Sequence, residues 1–361
     1  MEALVKYANE PGAVELRDIP EPEIGPDDAL LKVCAVGICG SDLEMYHHQV
    51  GFEVRPPVVL GHEFSGTVVE VGSNVKGFAP GDRVVSETAA YVCGVCVQCR
   101  TGRYNECPNR RGFGVMYNGA DAAYVAVRQG ILHHVPTNVD LAEAALTEPL
   151  CVAYNALVVK SRIRPADLVV ILGPGPIGLM ATQIARVCGA SNIVLAGLSS
   201  NAQRLSIGRT LGATHTIDLE TDDLRALVAE LSGGVGADLV VDAAGPSATV
   251  KMAMDIVKRN GQITKIAWGP KPLDLSLDLL LAKAVTFQGV FSHTWDTWER
   301  ALLLESSGQV RLSDMISHRV SLKDWKVAFD ALENGEAVKA LIFPNGVSAS
   351  SRQGPLQGEV K

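Results

Sequence analysis

The chain has 361 residues, of which 47% are hydrophobic and 20% are charged, which is typical of a globular protein long enough for two domains. Its 32 lysines and arginines stand against 40 aspartates and glutamates, so the formal net charge is -8. This balance argues against a general affinity for nucleic acid or anionic membranes, because phosphate binding depends on a basic surface. The start, MEALVKYANEPG, has no export signal and the apolar runs are too short to cross a bilayer, so we expect a cytoplasmic protein.

Up to about residue 135, short apolar runs alternate with glycine and proline. The segments ALLKVCAVGICG, FSGTVVEVGSNV, GDRVV and AAYVAV have the length and the apolar pattern of strands, and turn residues lie between them. This part of the chain is therefore predicted to form a β-rich domain.

From about residue 165, strands alternate with helices. The predicted strands are DLVVILG, NIVLAG, THTID and ADLVVDAAG, and the helices that follow them are GPIGLMATQIARVCGA, NAQRLSIGRTLGA, DDLRALVAELSGG and SATVKMAMDIVKRNG. This order predicts a parallel sheet with right-handed crossovers. Between about 295 and 343, two helical stretches and the strand AVKALIFP are expected to pack on the first domain. The polar segment 347–361 is predicted to be disordered.

The segment VVILGPGPIG places Gly173, Gly175 and Gly178 in the spacing G-x-G-x-x-G, directly after a predicted buried strand and at the start of a predicted helix. In this setting the first glycine makes a tight turn and the second lets the backbone approach a pyrophosphate. The third allows the helix to pack closely on the strand, and the helix N-terminus attracts the phosphate charge. The segment therefore predicts a dinucleotide site.

An acidic residue that binds the ribose hydroxyls of NAD is expected about twenty positions further on, and Gly197 stands there. Without a carboxylate nothing repels the 2′-phosphate of NADP, and Ser199, Ser200 and Arg204 could bind it. Arg204 could equally be an ordinary surface arginine, so the choice between NAD and NADP stays open. The complete set of predicted cofactor contacts is Gly173, Gly175, Pro176, Ile177, Gly178, Gly197, Ser199, Arg204 and Ala243.

Four cysteines, Cys93, Cys96, Cys99 and Cys107, follow the spacing C-x2-C-x2-C-x7-C. This spacing indicates a tetrahedral zinc site, and four sulfur ligands make such a site structural, because no position is left for water or substrate. Two disulfides and a redox C-x-x-C pair are the competing interpretations. The expected cytoplasmic location and the distance from any βαβ unit favour zinc.

A second set of residues offers the open coordination position that metal chemistry requires. Cys39 in GICGSD follows a predicted strand, His62 and Glu63 are adjacent in GHEFSG, and Glu148 lies in LTEPL. One thiolate, one imidazole and a carboxylate are suitable zinc ligands that leave a fourth position free. The spacing alone does not bring them together, since His62 lies 23 positions after Cys39 and Glu148 lies 85 positions after Glu63. Each of these side chains could instead be an ordinary core residue.

Together these motifs resemble the zinc-dependent medium-chain dehydrogenases, particularly the sorbitol (polyol) and threonine dehydrogenase branch. The similarity runs from GICGSD through GHEFSGTVVEVG, GDRV, the four-cysteine segment, EPL and GPGPIG to GGVGADLVVDAAG, nearly the whole chain. It implies an α/β fold in which a GroES-like β-barrel catalytic domain carries an inserted Rossmann domain with a doubly wound parallel sheet. The implied boundaries are 1–152 and 294–346 for the catalytic domain, with a structural zinc lobe at 90–110, and 153–293 for the Rossmann domain.

The resemblance also implies metal ligands. Cys39, His62 and Glu63 correspond to the catalytic zinc ligands of the polyol branch, and Glu148 corresponds to a carboxylate at or near that metal. Ordinary alcohol dehydrogenases have a cysteine at the position of Glu148, and although Cys151 lies three residues further on, the EPL segment points to Glu148. The implied ligands of the lobe zinc are Cys93, Cys96, Cys99 and Cys107.

Catalytic roles are assigned to Ser41, Tyr46 and Glu63. Ser41 in CGSD corresponds to the hydroxyl of the family's proton relay. Glu44 stands where threonine dehydrogenases and many polyol enzymes have histidine, which weakens threonine as the substrate and leaves the outer relay open. Tyr46 and the nearby His47 are candidate substrate or relay groups.

The implied activity is hydride transfer between NAD or NADP and a secondary alcohol or polyol, as in L-iditol or sorbitol 2-dehydrogenases, with a ketone or ketose as the product. A zinc-dependent dehydrogenase of threonine, 2,3-butanediol or a cyclic polyol is the alternative. A remote alternative is a non-catalytic structural protein that binds zinc and nucleotide, against which the presence of Cys39, His62 and Glu63 argues. We expect one catalytic and one structural zinc per chain, a small-molecule substrate, no nucleic acid or membrane partner, and a homodimer or homotetramer.

Overall fold

A computed structural model describes residues 1–269 and 271–347 of the chain. The segment predicted to be disordered, 347–361, lies outside the described residues from position 348 onward. By their contacts the residues form two compact units. Among the described residues, the first contains Met1–Glu148, Thr294–Ser306 and residues 312–347, and the second contains Pro149–His293 and Ser307–Arg311. The functional domain boundaries predicted from the sequence stay a prediction.

The described residues contain strands and helices with the following bounds. The strands are β1 (Glu2–Lys6), β2 (Val14–Asp18), β3 (Asp28–Gly37), β4 (Val58–Val59), β5 (Glu63–Val71), β6 (Arg83–Ser86), β7 (Tyr124–Arg128), β8 (Leu132–His134), β9 (Leu168–Leu172), β10 (Asn192–Gly197), β11 (His215–Asp218), β12 (Ala237–Asp242), β13 (Val257–Lys265), β14 (Thr286–Gly289), β15 (Ile316–Ser321) and β16 (Lys339–Phe343). The α-helices are α1 (Gly40–Tyr46), α2 (Val97–Arg100), α3 (Thr147–Tyr154), α4 (Pro176–Val187), α5 (Ala202–Leu211), α6 (Leu224–Ser232), α7 (Ser247–Ile256), α8 (Asp278–Lys283), α9 (Trp295–Ser306) and α10 (Trp325–Glu333).

The first unit is built mainly from β-sheet, as predicted. Its larger sheet has the order β15-β16-β3-β5-β6-β8, with β7 also paired to β3, and a smaller sheet has the order β2-β1-β4. Alternate apolar side chains of β3 and β5 point into a core that includes Leu31, Val33, Phe64 and Phe113. The C-terminal strand β16 pairs antiparallel with β3. The segment after residue 294 therefore packs on the N-terminal part of the chain, which confirms that prediction.

The second unit contains a six-stranded sheet with the order β11-β10-β9-β12-β13-β14, in which every pairing is parallel. All five residues of β9 are buried, which explains its uninterrupted apolar sequence LVVIL. Successive strands leave β9 in opposite directions, first to β10 and β11, then to β12, β13 and β14. In such sheets ligands bind at the carboxyl ends of the strands where the order reverses, here after β9 and β12. The predicted parallel sheet is confirmed.

Two of the differences from the predicted secondary structure have a clear physical reason. The helix predicted from 247 to 261 ends at Ile256, and Val257 begins β13 by pairing with Ala237 of β12. Strand pairing at the sheet therefore overrides the helical pattern of the last residues. The strand β15 was not predicted, because ISHRVS has one buried residue and no alternation of apolar and polar side chains. Among the described residues, no helix combines the length and the apolar character that a membrane span needs.

Candidate metal centres and cofactor site

The four cysteines of the predicted lobe converge on one point. Their sulfur atoms all lie within 4.8 Å of one another; the Cys93 and Cys107 sulfurs are 3.6 Å apart, and those of Cys93 and Cys99 are 4.0 Å apart. A tetrahedral zinc with bonds of about 2.3 Å places its sulfur ligands about 3.8 Å apart, whereas a disulfide requires about 2.05 Å. The donor set and its geometry therefore fit a closed zinc site and exclude disulfides within it.

Backbone N–H groups near these thiols donate hydrogen bonds to the sulfur atoms, which favours the thiolate form that binds a cation. The Cys96 sulfur accepts the backbone N–H of Cys99 at the start of α2, and the Cys107 sulfur accepts that of Cys93, both at 3.5 Å. The backbone N–H groups of Val95 and Cys96 lower the pKa of Cys93 to about 6. Desolvation and hydrogen bonds with the neighbouring thiols raise the pKa of Cys99 to about 12, so the four thiols do not all ionise together without a metal. A divalent cation removes that restriction.

A hydrogen bond that the sequence does not reveal anchors this lobe. The Tyr104 hydroxyl lies 2.8 Å and 2.9 Å from the two carboxylate oxygens of Glu87, a fully buried residue, and accepts the backbone N–H of Trp295. Burial and the Glu87 charge raise the pKa of Tyr104. The hydroxyl therefore stays protonated and donates a hydrogen bond to the Glu87 carboxylate. The lobe is thus held against the barrel by a charged hydrogen bond.

The second predicted metal set also comes together. One ligand atom each from Cys39, His62 and Glu63 lies within 4.8 Å of the others. Cys39 directly precedes α1, and Glu63 begins β5 opposite Gly37, the last residue of β3. A Cβ atom at position 37 would lie 2.3 Å from Glu63 Oε2, so a larger residue than glycine there would displace the carboxylate of this ligand. Thiolate, imidazole and carboxylate are a donor set that fits a zinc with an open position.

Asp42 is hydrogen-bonded to the backbone of one of these ligands and lies close to the side chain of another. Its Oδ2 accepts the backbone N–H of Cys39 at 2.8 Å, and its Oδ1 lies 3.6 Å from His62 Nδ1. Burial lowers the pKa of His62, but Asp42 and the Cys39 thiol outweigh burial and raise it well above its usual value when no metal is bound. A carboxylate behind a ligating histidine fixes the ring's orientation. The aspartate three residues after Cys39 in GICGSD was the only sequence signal for this role.

Glu63 is shared between the metal set and a buried lysine. Lys339 at the start of β16 lies 2.7 Å from Glu63 Oε1 and 2.6 Å from Oε2, and its ammonium donates to the Ile38 carbonyl at 2.6 Å. Both side chains are almost completely buried. Burial raises the pKa of Glu63, and Lys339 opposes that shift. The Lys339 ammonium therefore offsets part of the cost of a charged Glu63 in a dry environment. The role of Lys339 was missed, because nothing in AVKALIFP indicates its partner.

Glu148, in the first turn of α3, is buried but lies outside the group of three. Its charge is close enough to raise the pKa of Glu63. Direct binding of zinc by Glu148 therefore stays a proposal. Cys151 is completely buried and is also outside the group.

The proposed catalytic residues Ser41 and Tyr46 lie at the two ends of α1. Ser41 follows Cys39 by two residues and is partly exposed. The Tyr46 ring packs edge-to-face on Trp325 and Phe329, with centroid distances of 6.0 Å to each, so any catalytic part for Tyr46 depends on its hydroxyl group alone. His47, whose Nε2 lies 2.5 Å from Glu333 Oε1, is held to α10. These roles stay proposals.

The glycine loop after β9 has the space that a pyrophosphate needs. Gly173 has φ +103, and a Cβ there would lie 2.9 Å from the Ala244 side chain and 3.1 Å from Ala243. A Cβ at Gly178 would lie 1.9 Å from the Gly173 carbonyl oxygen, whereas a Cβ at Gly175 would meet nothing within 4 Å. The first and third glycines are thus required by packing, and the second leaves open space before the N-terminus of α4. The loop fits a dinucleotide.

The remaining predicted cofactor residues surround the same edge of the sheet. Pro176 and Ile177 begin α4, and Ala243 follows β12 with its N–H bonded to the Leu172 carbonyl at 2.9 Å. Arg204 lies partly buried in α5, where burial lowers its pKa. Gly197 ends β10, and Ser199 lies in the turn that follows.

A buried carboxyl group that contacts the first residue of α3 gives a pH prediction. Glu305 in α9 accepts the Thr147 hydroxyl on Oε1 at 2.8 Å, and its Oε2 has no hydrogen-bond partner among the described residues. Burial raises the pKa of Glu305 to about 8, so the folded protein holds a proton that the unfolded chain releases above about pH 4.3. Stability from this group is therefore present at low pH and is lost as pH rises toward 8.

We expect Glu305→Gln, which mimics the protonated acid and still accepts the Thr147 hydroxyl, to raise the thermal unfolding midpoint more at about pH 8.5 than at about pH 6. Thermal unfolding followed by circular dichroism at both pH values measures the difference. Asp296→Asn, a change of an exposed carboxylate in the same helix, should shift the midpoint equally at both. If the increase in the unfolding midpoint caused by Glu305→Gln is no larger at about pH 8.5 than at about pH 6, the prediction is wrong.

Comparison with known proteins places the chain in a family. Residues 25–137 match the family model described as the alcohol dehydrogenase GroES-like domain, and residues 176–307 match the model of zinc-binding dehydrogenases. The sorbitol dehydrogenase of Halalkalibacterium halodurans is 38% identical over 345 residues, which cover 95% of this chain and 99% of that protein. The D-arabitol-phosphate dehydrogenase of Enterococcus avium is 37% identical, with 91% of this chain and 93% of that protein covered.

A solved structure supports the same family assignment. A zinc-binding dehydrogenase of Sinorhizobium meliloti 1021, solved bound to NADP, superposes with a TM-score of 0.86 at 34% identity and covers 95% of this chain and 99% of its own. These matches confirm the predicted α/β fold class, with a GroES-like domain and a Rossmann domain. The chain belongs to the zinc-dependent medium-chain dehydrogenase family and is a zinc- and NAD(P)-dependent dehydrogenase.

Proposed function

We propose that the protein oxidises a secondary alcohol group of a polyol to a ketone, in the manner of an L-iditol or sorbitol 2-dehydrogenase, and reduces the ketone in the reverse direction. The observation that carries this proposal is the cluster of Cys39, His62 and Glu63, with the buried carboxylate of Glu148 near Glu63. The carboxylates of Glu63 and Glu148, together with the Cys39 thiolate, correspond to the residues of the polyol branch. Ordinary alcohol dehydrogenases have a cysteine at the position of Glu148.

Each residue of the site has a proposed part. Cys39, His62 and Glu63 would hold a zinc ion, which lowers the pKa of a substrate hydroxyl and polarises a carbonyl when it is bound. Asp42 orients His62 through Nδ1. Ser41, two residues after Cys39, passes the hydroxyl proton toward solvent, as the corresponding hydroxyl does in the family.

The cofactor is proposed to bind along the glycine loop. Its pyrophosphate would lie over Gly175, where a side chain would otherwise intrude, at the N-terminus of α4. A bound nicotinamide would supply the acceptor for the hydride that the alcohol carbon loses, so that oxidation of the alcohol and reduction of the cofactor balance. Four cysteines, Cys93, Cys96, Cys99 and Cys107, would hold the second, structural zinc.

The substrate class is proposed from two sources. The relatives above are named for sorbitol and for D-arabitol phosphate, both polyols. Glu44, where threonine dehydrogenases have histidine, disfavours threonine. Threonine, 2,3-butanediol and cyclic polyols are the alternative substrates.

A substrate panel tests the proposal. The zinc-loaded protein is assayed for NADH and NADPH formation with sorbitol, L-iditol, xylitol, D-arabitol, D-arabitol phosphates, threonine, 2,3-butanediol and myo-inositol. We expect the highest kcat/KM with an open-chain polyol or its phosphate, and a ketose as the product in mass spectrometry and NMR. Turnover confined to threonine, butanediol or the cyclic polyol would instead establish the alternative.

We further propose that the protein works in the cytoplasm as a homodimer or homotetramer. All eight cysteines are free, which accords with a reducing compartment, and homo-oligomers are usual in the family. Light scattering of the purified protein tests the assembly, and a monomer at micromolar concentration would contradict it.

A further inference from the structure

The usual position of the ribose-binding carboxylate is physically closed in this chain. A Cβ atom at Gly197 would lie 2.8 Å from Cγ of Pro174 and 3.3 Å from Cδ2 of Leu205. Pro174 is the residue between the first two glycines of the loop, so the loop itself fills the space above the end of β10. An aspartate or glutamate at position 197 would require the loop to move. Gly197 is therefore a packing requirement, and its lack of charge does not by itself indicate that a 2′-phosphate is accepted.

A carboxylate reaches the same edge from the neighbouring strand. In the parallel pairing of β10 with β11, Gly197 lies opposite Asp218, the last residue of β11. The backbone N–H of Leu219 donates to the Gly197 carbonyl at 2.8 Å, which continues the pairing past the strand end. Asp218 Oδ1 accepts the N–H of Glu220 at 3.0 Å, and the Asp218 N–H donates to Asp222 at 2.9 Å. The carboxylate of Asp218 is thus fixed at the same edge of the sheet as Gly197, the position where a ribose-binding carboxylate is expected.

Asp218 and Glu220 also occupy the donors that a 2′-phosphate would use. The Ser199 hydroxyl donates to Asp218 Oδ2 at 2.5 Å, and the Ser199 backbone N–H donates to Glu220 Oε2 at 2.9 Å. A phosphate bound at Ser199 would have to break both hydrogen bonds and lie next to two carboxylates, and like charges at that distance repel strongly. The expectation that Ser199 binds a 2′-phosphate thus loses its structural basis.

We propose that Asp218, supported by Glu220, makes this dehydrogenase selective for NAD over NADP by placing a fixed negative charge where a 2′-phosphate would bind. Asp218 acts as the specificity-determining residue because its carboxylate holds Ser199 in place and excludes a second anion there. Among the basic residues that could favour a 2′-phosphate, Arg204 in α5 is the nearest to Ser199 in sequence. The next arginine of α5 is Arg209, which donates through Nε to the Thr216 hydroxyl at 2.7 Å. The inference rests on the proposed nicotinamide-dependent function.

The test measures binding, apart from catalysis. Calorimetric titration of the purified, zinc-loaded protein with NAD⁺ and with NADP⁺ should give a Kd for NAD⁺ at least about tenfold lower. Asp218→Asn keeps an oxygen for the Ser199 hydroxyl and removes the charge, so it should lower the Kd for NADP⁺ about fivefold or more and leave that for NAD⁺ within about twofold. Titration with 2′,5′-ADP and with 5′-AMP should show the same change, because these probes differ in the 2′-phosphate alone.

Two variants make the result specific. Glu220→Gln should change the selectivity in the same direction, and it replaces Asp218→Asn if circular dichroism shows that the latter does not fold. Asp278→Asn, an equal loss of charge on the exposed helix α8, should change neither Kd. The inference would be overturned, and the proposed function would stand, if the wild-type protein bound both dinucleotides equally. The same conclusion would follow if the ratio of the Kd values for NADP⁺ and NAD⁺ were unchanged in Asp218→Asn and Glu220→Gln. Binding of neither dinucleotide would overturn the proposed function with it.

Discussion

Replacing Cys39 by serine should abolish NAD(P)H formation and leave one zinc ion per chain instead of two. The hydroxyl of serine stays protonated and is a poor zinc ligand, so the group of three loses its thiolate. Because the metal contributes several kcal/mol of charge stabilisation in the transition state, activity should fall about a thousandfold or more. Metal analysis by mass spectrometry, together with initial rates on the best polyol, measures both effects.

Two other cysteines provide controls for Cys39→Ser. Cys188 at the end of α4 is far from both clusters in sequence, and Cys188→Ser should keep both zinc ions and full activity. Cys99→Ser should also leave one zinc, but the lost ion is the one in the lobe, so the thermal unfolding midpoint should fall by several degrees. Full turnover by Cys39→Ser would show that the catalytic and structural assignments are wrong. An equal fall of the thermal unfolding midpoint in Cys39→Ser and Cys99→Ser would show the same.

Replacing Lys339 by methionine should destabilise the metal-free protein by about 3–5 kcal/mol, because it leaves the buried Glu63 carboxylate without its cation. Zinc bound to Glu63 compensates part of that charge, so the loss should be smaller in the zinc-loaded protein. Urea unfolding of Lys339→Met and wild type, each with zinc and after removal of zinc by a chelator, measures the four free energies of unfolding.

The exposed Lys326 offers a matched control for this experiment. Its ammonium pairs with Asp330 on the surface of α10, and exposed pairs contribute about 1 kcal/mol or less. Lys326→Met should therefore have a small effect that does not depend on zinc. The double variant Lys339→Met with Glu63→Gln should recover stability in the metal-free state, since it removes both charges. A metal-free Lys339→Met as stable as wild type would refute a structural role for the ion pair.

Local patterns in the sequence were enough for the parallel sheet and for the cysteine cluster. Gly173, Gly175 and Gly178 lie within six residues, and their conformations depend on one turn between β9 and α4. The four cysteines lie within fifteen residues and converge through the short helix α2 and the turns around it. Where all the determinants lie on one supersecondary element, spacing predicts geometry.

The catalytic cluster needed more than spacing. Cys39 and His62 were assigned as ligands through a family resemblance, and their approach depends on the pairing of β3 with β5. The helix predicted to continue through 261 was wrong beyond Ile256, because pairing with β12 is a contact that a local pattern does not contain.

The charges that tune both sites come from pairings between strands, which spacing does not encode. Lys339 reaches Glu63 across 276 residues of sequence because β16 lies beside β3. Asp218 reaches Ser199 because β11 lies beside β10 and ends at the same level as Gly197. Residue types and their spacing determine which ligands a short segment can offer. The register between distant strands determines which charges surround them, since burial and neighbouring charge are properties of the folded chain.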